Sequence, residues 1–137
     1  MNEKKVCLVL EDSEVIREIA ARIVEDLGLQ SAQAGSAADG VAYCAENTPA
    51  VVLLDWDLPS MGALDFLRGA SELTSDTKPA IILCATENDP QQFTLAKAAG
   101  AAHHILKPFD RESIEAALQE AGVIDSVGSG AAAAANQ

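Results

Sequence analysis

The sequence predicts an α/β fold, a doubly wound parallel sheet with helices packed on both of its faces. Three observations carry that expectation. Short apolar runs alternate along the chain with stretches whose apolar residues recur three and four positions apart. The runs are apolar throughout rather than alternating in and out, which fits strands covered on both faces. Each run is followed by a helical stretch, and such repetition builds parallel sheets with right-handed crossovers.

Val6 to Leu10 is the first strand, stopping at Glu11-Asp12. Ser13 opens a helix whose apolar positions are Ile16, Ile19, Ala20, Ile23 and Leu27, and Gly28 closes it. Leu29 to Ala34 makes a weaker second strand. Ser36-Ala37-Ala38-Asp39 matches a capping box and starts a helix to about Glu46. Pro49 breaks the chain before Ala50 to Leu54, the plainest buried strand, which ends at Asp55. Residues 57–62 read as a loop, and Leu64, Phe66, Leu67, Ala70 and Leu73 mark the third helix. Pro79 precedes the fourth strand, Ala80 to Ala85, which ends at Thr86. Asp89-Pro90 starts the fourth helix, the aspartate as cap and the proline where no N–H is needed, and this helix runs to Gly100. His103 to Leu106 is a short fifth strand. Lys107-Pro108-Phe109 turns the chain, and Asp110 caps a last helix through Ala121, closed by Gly122. The organisation expected is one folded domain over residues 1–124 and a flexible low-complexity tail over 125–137.

Composition excludes several classes of function. Lys plus Arg number 9 against 21 Asp plus Glu, a net charge of −12. Gripping DNA or RNA takes a basic face, so no nucleic acid is expected as partner. The longest apolar stretch, around Val51 to Leu54, is too short for a bilayer, and the first residues lack a signal-peptide pattern. The expectation is a cytoplasmic protein without membrane insertion. Cys7, Cys44 and Cys84 are far apart with no paired spacing, so they read as small buried hydrophobes rather than a disulfide or zinc site. His103 and His104 are strand neighbours that point to opposite faces, which prevents them from chelating one ion together.

The chemistry gathers at the strand ends. Glu11 and Asp12 follow strand one, Asp55 ends strand three, Thr86 follows strand four and Lys107 follows strand five. Open parallel sheets bind ligands outside the carboxyl ends of their strands, where the strand order reverses. Glu11, Asp12 and Asp55 would meet there in an acidic pocket. Close carboxylates resist joint ionisation unless a cation joins them, and hard oxygen ligands suit Mg²⁺. Backbone oxygen near Asp57 is a further donor. Lys107 offers a point charge for a phosphate oxygen and Thr86 a hydroxyl. Together these suit phosphoryl transfer to Asp55.

Four motifs carry a family resemblance: Leu10-Glu11-Asp12, Leu53-Leu54-Asp55-Trp56-Asp57-Leu58-Pro59, Ala85-Thr86 and Leu106-Lys107-Pro108-Phe109. Each is weak alone. In this order, each after an apolar strand, they make residues 4–124 resemble the receiver domain of a two-component response regulator, of the single-domain CheY-like kind. The resemblance implies a flavodoxin-like (βα)5 fold with strand order 2-1-3-4-5. It implies Asp55 as phosphoacceptor and a member of the Mg²⁺ site, Asp12 as a direct Mg²⁺ ligand, Glu11 as a ligand through water, and the Asp57 main-chain carbonyl as a further ligand. Lys107 would hold a phosphoryl oxygen, Thr86 would be the switch hydroxyl, and a cis Lys107–Pro108 bond is expected. A sensor histidine kinase or histidine phosphotransfer protein would supply the phosphoryl group. Output would pass to a downstream protein through the face of the fourth helix, fifth strand and fifth helix, with a monomer as the default state. Direct gene control by this chain is not expected, because no DNA-binding domain follows. Segments 86–90, 107–112 and 119–124 look further like chemotaxis-type members.

Two departures from the family pattern stand out. The loop after the phosphoacceptor commonly reads Pro-x-Met-Asp-Gly, whereas here Pro59-Ser60-Met61 runs into Gly62-Ala63. Either Ala63 is strained in a position suited to glycine, or the loop re-registers onto Gly62. His104 stands where the family usually has Tyr or Phe, and an imidazole gains charge near neutral pH, so output through this switch position is expected to be altered or pH-sensitive. Other functions compete with the switch. A phosphorylation-independent adaptor or a phosphate sink keeps the fold. Asp55-Trp56-Asp57 also echoes the nucleophile motif of haloacid-dehalogenase-like phosphatases, but the chain is short, lacks a cap and carries the motif on its third strand. The expectation is a switch that transfers and slowly hydrolyses its own phosphoryl group, not a turnover enzyme.

Overall fold

The computed structural model of the protein describes residues 5–59, 62–73, 79–86, 90–98, 101, 103–107 and 109–124. Strand and helix alternate as β1 (Val6–Leu10), α1 (Glu14–Asp26), β2 (Gln30–Ala34), α2 (Ala37–Glu46), β3 (Val51–Asp55), α3 (Gly62–Ser71), β4 (Ala80–Ala85), α4 (Pro90–Ala98), β5 (His103–Leu106) and α5 (Arg111–Glu120). The strands form one sheet in the order β2-β1-β3-β4-β5, every pairing parallel. This is the doubly wound sheet and the strand order that the resemblance implied.

Alternate strand residues serve opposite faces of the sheet, and both faces are covered. Cys7, Val9, Leu53, Ile82, Cys84 and Ile105 meet Val24 of α1 and Ile114 and Leu118 of α5. Leu8, Leu10, Val52, Leu54 and Leu83 meet Phe66 and Leu67 of α3 and Ala96 of α4. Two-sided burial explains why β1, β3 and β4 are nearly uninterrupted apolar runs. It also removes the freedom of a strand to slip, because a one-residue slip would exchange every side chain between two filled faces. The register sets Leu10 opposite Leu54, Asp55 opposite Cys84 and Ala85 opposite Leu106. The residues that follow these strands therefore emerge together at one end of the sheet.

The helix boundaries follow their local chemistry. Ser13 caps α1, its side chain accepting from the Ile16 N–H, and Gly28 takes a positive φ of 97° just beyond the end. Ser36 caps α2 by accepting from the Asp39 N–H at 3.2 Å, one half of the expected box. A complete reciprocal box stands at α5, where the Asp110 carboxylate accepts from the Ser113 N–H and the Ser113 hydroxyl accepts from the Asp110 N–H. The hydrogen bonds to Ser113 hold the Asp110 carboxyl below the usual carboxylate range.

Two expectations are corrected. On α1 the buried residues are Ala20, Ala21 and Val24, while Ile19 is 49% exposed. Small side chains let this helix approach the sheet, so its buried arc is rotated away from Ile19. The second correction concerns Gly62-Ala63. Both residues lie buried in the first turn of α3, and neither of the two described positive-φ glycines, Gly28 and Gly122, is in this loop. Ala63 is thus ordinary helix and unstrained. A side chain at Gly62 would bring its Cβ to 3.0 Å from Leu58 Cβ, which gives that glycine a packing reason instead. The Lys107–Pro108 bond, the Asp89 cap, the end of the fourth helix at Gly100, Ser60-Met61 and the tail from Asp125 lie outside the described residues. Among the described residues no helix is long and apolar enough to cross a membrane.

Candidate functional site

Glu11, Asp12 and Asp55 come together at the carboxyl end of β1 and β3. Each offers an oxygen within 4.8 Å of the others. Asp55 is 2% exposed and Glu11 is 5% exposed, whereas Asp12 stands in the open. Lys107, one residue past β5, reaches back into the cluster. Its Nζ lies 2.7 Å from Asp55 Oδ1 and 3.1 Å from Glu11 Oε1.

The oxygens are unequally committed. Asp55 Oδ1 accepts from Lys107 Nζ and, at 2.9 Å, from the Asp57 N–H. Oδ2 of Asp55 takes no hydrogen bond from the described residues. Glu11 uses both oxygens, Oε1 toward Lys107 and Oε2 accepting from the Ser13 N–H at 3.1 Å. Burial raises the Glu11 carboxyl pKa and the nearby Asp55 charge adds to it, against the lowering effect of the Ser13 N–H and Lys107. For Lys107, burial works to lower the ammonium pKa. Hydrogen bonds and charge from Asp55, then Glu11, outweigh it and leave the group raised. Three carboxylates against one ammonium leave the site anionic. Its donors are hard oxygens, and a Mg²⁺-type cation fits them by charge and by chemistry.

Thr86, one residue past β4, donates from Oγ1 to Asp57 Oδ2 at 3.2 Å. Thr86 and Lys107 also border a cavity of about 340 Å³ with Ile16, Ile19 and Phe109. The Asp57 side chain is thus exposed yet partnered. His104 is separate from this cluster. It faces outward on β5, and its ring stacks on Phe93 of α4 with centroids 4.0 Å apart and planes at 23°. His103 turns to the other face, with Nδ1 3.9 Å from Glu120 of α5. The two histidines therefore diverge, as strand geometry requires. Trp56 is half-buried against the core on the α3 side, beside Asp55 in sequence.

The structure brings together Glu11, Asp12, Asp55 and Lys107, and links Thr86 to Asp57. Sequence reasoning missed Arg17, whose Nη1 donates to the Glu11 carbonyl at 2.9 Å. A signal for it exists in the sequence. With 3.6 residues per turn, Arg17 falls between Val24 and Ala21 in the buried arc of α1, where a charge needs a partner.

Comparison with known proteins agrees with this geometry. The family model described as "Response regulator receiver domain" matches residues 7–119. The chain is 34% identical over 96 residues to the response regulator UvrY of Escherichia coli K12, covering 68% of this chain and 44% of that protein. It is 31% identical over 119 residues to the uncharacterized transcriptional regulatory protein YkoG of Bacillus subtilis, covering 87% of this chain and 51% of that one. The chain thus spans about half the length of these curated relatives. Among solved structures, the chemotaxis response regulator CheY4 of Vibrio cholerae superposes with a TM-score of 0.80 at 24% identity, covering 87% of this chain and 99% of that one. With the motif residues assembled at one end of a 2-1-3-4-5 sheet and the family model matched over nearly all of that sheet, the chain belongs to the receiver domains of two-component response regulators.

Proposed function

We propose that this chain is a phosphorylation-operated switch in which Asp55 accepts a phosphoryl group in a Mg²⁺-dependent reaction. One observation carries the reading. Asp55 is buried with Oδ1 tethered by Lys107 and the Asp57 N–H, and Oδ2, beside two further carboxylates, takes no hydrogen bond from the described residues. Fixing one oxygen orients the other, which is what positioning contributes to a transfer whose transition state asks mainly for alignment and charge.

Asp12 and Asp55 would hold Mg²⁺ directly, with the Asp57 carbonyl. Glu11 would act through water, since both of its oxygens already have partners. A divalent cation held by these residues would supply positive charge against the phosphoryl oxygens. The donor is a phosphohistidine of a sensor kinase or phosphotransfer protein. Asp55 Oδ2 forms the new bond to phosphorus, the P–N bond breaks, and its electron pair returns to the imidazole, which takes up a proton. Lys107 Nζ then serves the transferred group, and Thr86 exchanges Asp57 for a phosphoryl oxygen. That exchange biases an equilibrium that already exists, and the α4-β5-α5 face, with His104 on Phe93, passes the change to a protein partner. The chain works in the cytoplasm and turns over no substrate of its own beyond its acyl phosphate.

The test is intact mass after treatment with acetyl phosphate, with and without Mg²⁺, alongside Asp55→Asn. A single Mg²⁺-dependent phosphoryl adduct absent from Asp55→Asn supports the switch. No adduct, together with partner binding that persists in Asp55→Asn, supports a phosphorylation-independent adaptor instead. Steady turnover of a phosphomonoester would favour a phosphatase.

A further inference from the structure

We propose that Arg17 is a positioning residue of the acidic site: its guanidinium fixes the peptide joining Glu11 to Asp12 and thereby aims the Asp12 carboxylate. The proposal rests on the reading of Glu11, Asp12 and Asp55 as a divalent-cation site. Arg17 lies one turn into α1, and its own N–H donates to the Ser13 carbonyl at 2.8 Å, within the helix. The side chain makes two bonds outside the helix. Nη1 donates to the Glu11 carbonyl at 2.9 Å and Nε donates to Gln33 Oε1 on β2 at 3.1 Å. On its other side Glu11 is held through its N–H, which donates to the Ala34 carbonyl at 3.1 Å.

The turn is therefore gripped at Glu11 by β2 backbone, by Arg17 and through the Glu11 carboxylate. Asp12 is different. Among the described residues nothing hydrogen-bonds its exposed carboxylate, so the backbone alone sets its direction. That backbone begins at the carbonyl Arg17 holds. The neighbourhood also accommodates the guanidinium: a Cβ on Gly35 would lie 3.2 Å from Arg17 Nη1, closer than such contacts ordinarily run. Gln33 fixes the plane of the guanidinium and Gly35 leaves it room.

A charge role and a positioning role have opposite signs. As a bare cation Arg17 repels Mg²⁺, so deleting its charge would tighten Mg²⁺ binding. As a positioning group its loss would weaken binding, as removal of groups that orient metal ligands generally does. Mg²⁺ affinity is measured by calorimetry and Trp56 fluorescence for the wild type, Arg17→Met, Arg17→Lys and Gln33→Met. Thermal unfolding of each is followed in EDTA. Arg17→Met is expected to weaken Mg²⁺ binding about tenfold. Gln33→Met keeps the charge but releases the guanidinium, and is expected to weaken binding by a smaller factor. Arg17→Lys, with one ammonium for two acceptors, recovers part of the loss. Unchanged or tighter binding in Arg17→Met overturns the proposal, as does a lower unfolding temperature with Mg²⁺ affinity intact. Should Arg17→Met fail to fold, Gln33→Met and Arg17→Lys decide by the same signs. A wild type without a saturable Mg²⁺ response removes the cation site itself, and the role of Arg17 with it.

Discussion

Replacing Lys107 with Met tests the electrostatic account of the site most directly. The ammonium sits 2.7 Å from Asp55 and 3.1 Å from Glu11, with side-chain exposures of 11%, 2% and 6% respectively. At an effective dielectric of about 20, Coulomb attraction across about 3 Å is roughly 5–6 kcal/mol per pair, most of it offset by desolvation. Methionine fills the volume but leaves two buried carboxylates facing each other. Losing one partner of a buried pair costs about 3–5 kcal/mol. With a urea dependence of about 2 kcal/mol per molar, the unfolding midpoint in EDTA at pH 7.5 should fall by about 2 M. The pH dependence gives a second check. The Lys107 pKa is raised in the fold, so its stabilising contribution is complete below the unfolded value of about 10.4. That contribution is lost as pH rises through the folded value, and the alkaline loss should be absent from Lys107→Met. On the acid side the deficit of the variant should shrink as Glu11, whose carboxyl pKa burial already raises, takes up a proton. Mg²⁺ should rescue the variant more than the wild type, because the competing cation is gone. Its gain at ten times Kd is about 1.4 kcal/mol. Urea titrations followed by Trp56 fluorescence, with and without Mg²⁺, measure all of this. A loss below about 1 kcal/mol that is flat with pH would refute the reasoning, because exposed pairs behave that way and buried ones do not.

Further outcomes follow from the same geometry. Glu11 has a raised carboxyl pKa in the fold, so its ionised form weighs against the native state above that pKa. Glu11→Gln should therefore raise the urea midpoint in EDTA at neutral pH, with a gain that fades as pH falls toward about 4.3, while Mg²⁺ affinity drops. Asp57→Ala removes the acceptor of the Thr86 hydroxyl. An exposed bond of this kind is worth up to about 1 kcal/mol, so the acyl phosphate should persist up to about fivefold longer, read by the decay of intact-mass adduct; an unchanged lifetime counts against Asp57 as a restraint. Burial pushes the Cys7 thiol up to about 12 and the Cys84 thiol higher still, and raises half-buried Cys44 as well. A thiol reagent at pH 8 should label Cys44 alone, and slowly, in the native protein, with Cys7 and Cys84 reacting only in urea; rapid labelling of either would contradict the packing.

Much of the fold was legible because two-sided burial writes itself into composition. Ala80 to Ala85 and His103 to Leu106 coincide with β4 and β5, since proline, threonine and lysine punctuate them. The acidic pocket was legible for a related reason: strand ends converge, so their polar residues do too. The face of α1 was misread at Ile19, because periodicity weights large side chains and the approach to the sheet is set by Ala20 and Ala21. At Gly62-Ala63 the family pattern left strain at Ala63 or re-registration onto Gly62 as alternatives, because it supplied a backbone conformation that helix α3 does not require. Helix spacing flags Arg17 as a charge on the buried arc of α1, but its bond to Gln33 and the Thr86–Asp57 bond join separate elements. They depend on where β2 and β4 bring Gln33 and Thr86, which spacing along one element cannot reveal.

The tether on Asp55 Oδ1 has a consequence for timing. Once Oδ2 carries phosphorus, Oδ1 becomes the carbonyl oxygen of a mixed anhydride, and the Asp57 N–H would still address it while Lys107 turns to the phosphoryl group. Donors at that oxygen draw electron density from the anhydride and make the carboxylate a better leaving group. On the proposed reading, the grip that aims the nucleophile would therefore also shorten the life of its product. Arrival and decay would then be geared to one another at this atom, and a longer or shorter memory of the signal would have to be set elsewhere, by side chains such as Asp57 and Thr86.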